Sequence, residues 1–176
     1  MRSAAALEPM GHTSISPFIV KEIETPLGSM LVMADEQRLH MLQFTDSKKI
    51  DRITPSGSIS GTSSVLDQIE DELNAYFAGT LKEFKTPIAL HGSDFQQSVL
   101  KALIAVPYGQ TRSYAEQAIH VGNPKAVRAV ARGNSVNRLG IIIPCHRIIG
   151  KDGSLTGYAA GLERKKWLLA HEQKHL

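Results

Sequence analysis

The sequence predicts an α/β (α+β) protein in two parts, a small sheet-containing unit followed by a mostly helical one. Three observations carry that prediction. Short apolar runs separated by turn residues open the ordered region at Phe18. The charge then breaks near residue 90: residues 1–90 carry 8 Lys and Arg against 12 Asp and Glu, net −4, whereas residues 91–176 carry 12 against 5, net +7. Finally, the basic half holds two short helical segments joined by a Gly-containing turn, a helix-turn-helix pattern. With 176 residues, 42% of them hydrophobic, the chain can bury a real core. Its single cysteine excludes an internal disulfide, a dithiol redox cycle and a cysteine-rich zinc module.

Residues 1–17 read as a loose tail without chemistry. They lack an apolar signal core, and no stretch of the chain approaches the roughly 18 apolar residues of a membrane helix, so a cytoplasmic protein is expected. Residues 18–88 form the first domain. The run FIVKEIETPLGSMLVMADEQRLHMLQF gives three strands of an antiparallel meander, broken at Thr25-Pro26-Leu27-Gly28 and Asp35-Glu36-Gln37. After a polar stretch, Val65, Leu66, Ile69, Leu73, Tyr76 and Phe77 recur at helical spacing, and Gly79 stops the helix. The acidic residues of this helix, Asp67, Glu70, Asp71 and Glu72, read as a solvated face, and the unit shows no active-site residues.

Residues 89–176 form the second domain. Ser93 or Asp94 caps a helix over FQQSVLKALIAV. A further helix is expected from about Ser113 to His120, then a Val-Gly-Asn turn and a helix from Pro124 to about Arg132, with Pro124 in its first turn. Gly140 to Ile143 reads as a buried strand stopped by Pro144, which leaves Cys145, His146 and Arg147 on a loop at its end. The last helix, LERKKWLLAHE, is expected to mark one side with Leu162, Lys166, Leu169 and Ala170 and to anchor in the core through Trp167.

Residue chemistry leaves two readings of Cys145 open. Free cysteines are often inert core residues. Alternatively, the thiol is a nucleophile, helped by His146 and Arg147 as neighbours and by a carboxylate orienting the imidazole. His146 would then act through a bridging water, since adjacent side chains diverge. The basic half offers Asp94, Glu116, Asp152, Glu163 and Glu172 for the third role, and spacing does not choose among them.

The run Ile143-Pro144-Cys145-His146-Arg147-Ile148-Ile149-Gly150 resembles the active-site signature of the O6-alkylguanine-DNA alkyltransferases. The similarity extends through PYGQTRSYAEQA, GNPKAVRAVARGNSVN, TGYAAGLERKKWLLAHE and the upstream AYFAG, most of residues 65–172, and more weakly to TPLG. This resemblance implies a ribonuclease H-like N-terminal domain and a winged helix-turn-helix-like C-terminal domain. It also implies DNA repair by irreversible, stoichiometric transfer of an alkyl group from guanine O6, less readily thymine O4, to Cys145 without a cofactor. His146 would deprotonate the thiol, Glu172 would orient His146, Asn137 would brace the network, and Tyr114 would relieve charge on the departing base. Tyr158, Ala159, Val136 and Pro144 would form the base pocket, with Ala159 standing where some relatives carry serine.

The implied partner is double-stranded alkylated DNA, met from the minor groove by a monomer, with cooperative binding left open. Arg128 would fill the gap left by a flipped nucleotide; its alternative role is a phosphate contact. Ala126 and Ala129 would permit close approach, and Lys125, Arg132 and Arg138 would contact phosphates. No cysteine lies in the first half, so the zinc site of some relatives is not expected. Two rivals are a non-catalytic helix-turn-helix protein that binds alkylated bases and a Cys-His hydrolase. The retained Cys145 argues against the first, and the lack of an oxyanion motif against the second.

Overall fold

The computed structural model describes residues 17–176. All of the expected tail except Pro17 lies outside the described residues. The meander forms as predicted, with β1 (Ile19–Ile23), β2 (Met30–Ala34) and β3 (Leu39–Phe44) antiparallel, and β4 (Ile59–Ser60) adds parallel to β1 in the order β3-β2-β1-β4. A one-turn helix α1 (Ile50–Ile53) follows β3. Helix α2 (Ser64–Phe77) starts where the Ser63 hydroxyl accepts the Leu66 N–H, and it buries Val65, Leu66, Ile69, Leu73 and Tyr76 in the core shared with the sheet. Its acidic face is not simply solvated. Glu72 accepts the backbone N–H groups of Lys85 and Thr86, and Glu70 pairs with Lys21, so α2 holds both the linker and β1.

The linker runs along the β3 edge, where the Leu39 N–H donates to Pro87 O and the Ala89 N–H to Leu39 O. Helix α3 (Asp94–Ile104) begins at a reciprocal cap between Ser93 and Gln96. Strand β5 (Arg112–Ser113) leads into α4 (Tyr114–Val121), capped by the pair Ser113 and Glu116 and ended by Gly122 at φ +90°, which a side chain would strain. Helix α5 covers Val127–Ser135. Pro124 therefore does not open it. Asn123 builds a turn, accepting from Lys125 N at its side chain and from Ala126 N at its carbonyl, and that turn takes up Pro124. Val99, Ala118 and Val130 pack α3, α4 and α5 together, and Gly133 is required there because a Cβ would lie 2.9 Å from Val99 Cγ1.

The expected strand at Gly140–Ile143 does not form. The Leu42 N–H donates to Arg138 O and the Gly140 N–H to Leu42 O, so this segment docks on the β3 edge for one bridge. It then coils into a turn with Ile141 at φ +71°, an unusual conformation for a β-branched residue. Burial of Ile141 and Ile143 offsets that strain. A 3-10 turn, Cys145–Arg147, follows, then β6 (Ile148–Ile149), which pairs parallel with β5.

The final helix α6 (Leu162–Lys174) buries Lys165, Leu168, His171 and Glu172, a different side from the one predicted. Leu162, Lys166 and Ala170 are exposed. Trp167 is half-buried, stacked on His171 at 4.7 Å between ring centres and 5.6 Å from Phe77. One apolar core spans the two halves, with Leu100, Leu103, Leu139, Ile143, Ile148 and Leu168 joining the sheet and α2. None of the described helices is long and apolar enough to cross a membrane.

Candidate active site

A 3-10 helix has about three residues per turn, so its successive side chains point roughly 120° apart. The turn Cys145–Arg147 uses that geometry to send its three functional groups in three directions. The Cys145 side chain is half-buried and lies in the wall of a pocket of about 180 Å³, together with Tyr114, Ala131, Asn134, Ser135, Gly157, Tyr158 and Ala159. His146 is fully buried and Arg147 nearly so. Arg147 does not serve as a cation beside the thiol, as its sequence neighbourhood suggested. It turns inward, where its Nε and Nη2 grip both oxygens of Glu172 at 2.9 and 2.8 Å and its Nη1 donates to Val106 O.

Glu172 is the hub of this interior. Its Oε1 accepts from Tyr76 OH at 2.8 Å, from Arg147 and from His146 Nε2 at 2.8 Å, and its Oε2 accepts from Arg147 and the Gly109 N–H. Burial by itself would raise this carboxyl, but the hydrogen bonds of His146 and Arg147 and the charge of Arg147 hold it well below the usual range. An ionised Glu172 requires the proton of neutral His146 to sit on Nε2, an assignment made from the network. The other nitrogen, Nδ1, then carries a lone pair, and it is buried without a hydrogen-bond partner among the described residues. Burial also pushes the imidazole below its ordinary pKa, against the pull of Glu172, and so keeps it neutral.

Asn137 clasps the turn that carries the cysteine. Its Nδ2 donates to Ile143 O at 2.9 Å and lies 3.4 Å from Cys145 Sγ, and its Oδ1 accepts the Leu139 N–H. Its own carbonyl accepts from Gln43 Nε2 of β3, which ties the clasp to the sheet. Burial pushes the Cys145 thiol up, while the Asn137 amide and the ammonium groups of Lys165 and Lys49 oppose that shift. Tyr114 donates to Thr156 O at 2.9 Å. The buried Lys165 ammonium donates to Ile148 O, Thr156 O and Gly157 O, and so pins the loop that carries Tyr158.

The structure thus brings Cys145, His146, Glu172, Asn137, Tyr114, Tyr158 and Ala159 to one place. Two expected pocket residues do not line it. Val136 caps the C-terminal end of α5 and is exposed, and Pro144 lines a separate groove with Tyr108 and Arg147. On the outer side, Lys125, Arg128 and Arg132 are exposed at and along α5, whereas Ala126, Ala129 and Arg138 are half-buried. The same helix lines the pocket through Ala131, Asn134 and Ser135. Asn134 and Gln117 exchange two buried amide hydrogen bonds, at 2.7 and 2.8 Å, that lock α5 to α4.

Sequence reasoning missed Tyr76, Lys165, Lys49 and this amide pair, and it placed no site residue in the first half. Tyr76 was counted as one more apolar helix position. For Lys165 a signal existed, because Lys165, Leu168 and Glu172 fall at helical spacing on one face. Among the described residues, no group of three His, Cys, Asp or Glu could hold a metal ion.

Comparison with known proteins places these features in one family. The family profile described as 6-O-methylguanine DNA methyltransferase, ribonuclease-like domain, matches residues 20–90, and the profile for the DNA binding domain of the same protein matches residues 94–174. A methylated-DNA–protein-cysteine methyltransferase of Methanosarcina barkeri is 45% identical over 154 residues, covering 88% of this chain and 96% of its own. The constitutive enzyme of that name from Bacillus subtilis is 42% identical over 152 residues, covering 85% and 92%. The crystal structure of Mycobacterium tuberculosis O6-methylguanine methyltransferase superposes with a TM-score of 0.81 at 39% identity, covering 90% of this chain and 94% of its own. A structure of the Mycobacterium tuberculosis protein in complex with DNA gives the same score and identity, covering 90% and 93%. With both domains matched in order and identity sustained across most of its length, this chain belongs to the family of methylated-DNA–protein-cysteine methyltransferases.

Proposed function

We propose that this protein repairs DNA directly, moving the alkyl group of O6-alkylguanine, and less readily of O4-alkylthymine, onto Cys145 once per molecule. The observation that carries this reading is the buried Nδ1 of a neutral His146, unpartnered among the described residues, beside a pocket-lining thiol. A water between Sγ and Nδ1 relays the thiol proton to His146, and Glu172 stabilises the imidazolium that forms. The thiolate attacks the alkyl carbon; the S–C bond forms as the C–O bond breaks, and the base leaves with the electron pair. The Tyr114 hydroxyl, held at the pocket by Thr156, relieves the charge on the departing base. The product thioether has no good leaving group, and the chain has no second thiol.

A base inside a duplex cannot reach this pocket, so the nucleotide must be flipped out. Helix α5 suits both halves of that task, since it lines the pocket and exposes Arg128 on its outer side. Arg128 fills the gap from the minor groove, with Ala126 and Ala129 allowing close approach. Lys125, Arg132 and Arg138 hold phosphates, and backbone groups near Cys145 and Ala159 read the base edge. A monomer with a free reactive thiol suits the reducing cytoplasm.

Exposure to O6-benzylguanine is expected to leave one benzyl adduct on Cys145 by mass spectrometry, and excess methylated DNA to give a plateau of one methyl per chain. No adduct favours a non-catalytic binder, and sustained turnover contradicts the single-use mechanism. Arg128→Ala is expected to slow reaction on an alkylated duplex by about tenfold or more, in line with an unstacking cost of a few kcal/mol, and to slow reaction on a single strand less. An equal loss on both substrates rules out gap filling.

A further inference from the structure

A charge of the N-terminal domain lies at the C-terminal end of α5, the helix that lines the reaction pocket. Lys49 follows β3 and precedes α1, and its ammonium donates to the carbonyl of Ser135, the last residue of α5. The last carbonyls of a helix lack intrahelical donors and carry the negative end of its dipole, so a cation there is favourable. Ser135 and Cys145 line the same pocket. An ammonium fixed on Ser135 therefore sits where it stabilises a thiolate more than a thiol.

We infer that Lys49 is a positioning residue of the transfer site: its ammonium caps α5 at Ser135 and holds positive charge beside Cys145, favouring the thiolate. This inference rests on Cys145 being the acceptor. The titrating and charged groups around the thiol have distinct assignments. Lys165 is the second cation, bound to Ile148, Thr156 and Gly157, and Tyr158 contributes a neutral phenol whose pKa burial holds well above its ordinary value. His146 lies behind the thiol with its charge partners Glu172 and Arg147. Of the other cations near Lys49, Lys48 is exposed, and Arg164 is committed to Asp46 at 2.9 Å and to the face of Phe44. Among the described residues of the N-terminal domain, Lys49 is the one whose charge acts on the thiol. The coupling runs both ways: burial lowers the Lys49 ammonium while charge at Cys145 raises it, and Lys49 in turn opposes the upward push of burial on the thiol.

The test uses the full chain with Lys49→Met, which keeps length and loses charge, and Lys49→Arg, which keeps charge. Cys145 is the only thiol, so intact-mass kinetics of iodoacetamide alkylation read its ionisation alone. Lys49→Met is expected to raise the midpoint of the pH–rate profile by about one unit, which slows alkylation roughly tenfold near neutral pH. Lys49→Arg is expected to keep the wild-type midpoint, and all three proteins to converge at alkaline pH. An unchanged midpoint in Lys49→Met overturns the inference, as does a uniform loss at every pH. Wild-type reaction with O6-benzylguanine runs in parallel. A shifted alkylation profile without a benzyl adduct would refute the transfer reaction while leaving the role of Lys49 beside the thiol intact.

Discussion

Replacing Glu172 by Ala is expected to lower the free energy of unfolding by about 3–5 kcal/mol, the usual consequence of removing one partner from a buried ion pair. The carboxylate receives hydrogen bonds from Tyr76, His146, Arg147 and the Gly109 backbone. Its loss strands the Arg147 guanidinium in the interior and leaves the Tyr76 hydroxyl unpaired. Urea titration measures the effect, and a loss below about 1 kcal/mol, the level of an exposed pair, would contradict it. The same group makes stability depend on pH. The folded pKa of Glu172 is depressed, so its contribution is complete above the unfolded value of about 4.3 and falls away as pH drops toward the folded value. His146 acts in the same direction. Its folded pKa is also lowered, so its contribution is complete above about 6.5 and erodes below, as the unfolded imidazole takes up a proton. Wild-type urea midpoints are therefore expected to fall from neutral pH down to pH 3, through His146 first and through Glu172 below about 4.3. A flat wild-type profile would contradict both assignments.

Replacing Cys145 by Ala is expected to abolish alkyl transfer while the protein still binds a methylated duplex. The proposed acceptor atom is lost outright, and no other thiol exists to replace it. In the proposed reading, binding draws instead on Lys125, Arg128 and Arg132, which are exposed at and along α5 and away from the substitution. Cys145 is half-buried, so stability is expected to change by no more than about 1 kcal/mol. Transfer assayed with radiolabelled methyl groups, beside binding followed by fluorescence anisotropy, checks both halves. Residual transfer would remove Cys145 from the nucleophile's role, and lost binding would mean that the substitution disturbs α5.

The parts of the fold legible in the sequence are those set by neighbours in the chain. Ser93 announced one helix start, and the helix expected from about Ser113 begins at Tyr114, because a cap acts over three residues. The meander was legible from short apolar runs and turn residues, and α2 from its apolar spacing. Gly140–Ile143 misled because its composition suits a strand. Its conformation is set instead by docking on the edge of β3, about a hundred residues earlier in the chain, and by the Asn137 clasp. The buried face of α6 was misread for a related reason: it is defined by a lysine and a glutamate, and their burial depends on carbonyl and cation partners from other segments.

By itself the sequence determined the two-part architecture, the charge division, the reactive segment and the lone thiol, since composition and short-range spacing encode these. Only the tertiary structure decided which groups surround that thiol. It brought Tyr76 of α2 to Glu172 of α6, carried Lys49 to the end of α5, and turned Arg147 from a neighbour of Cys145 into a partner of Glu172. The physical reason is that a buried charge must find partners wherever the packed core places them. Those partners lie 25 to 96 residues from Glu172 in the chain, beyond any pattern that spacing can reveal.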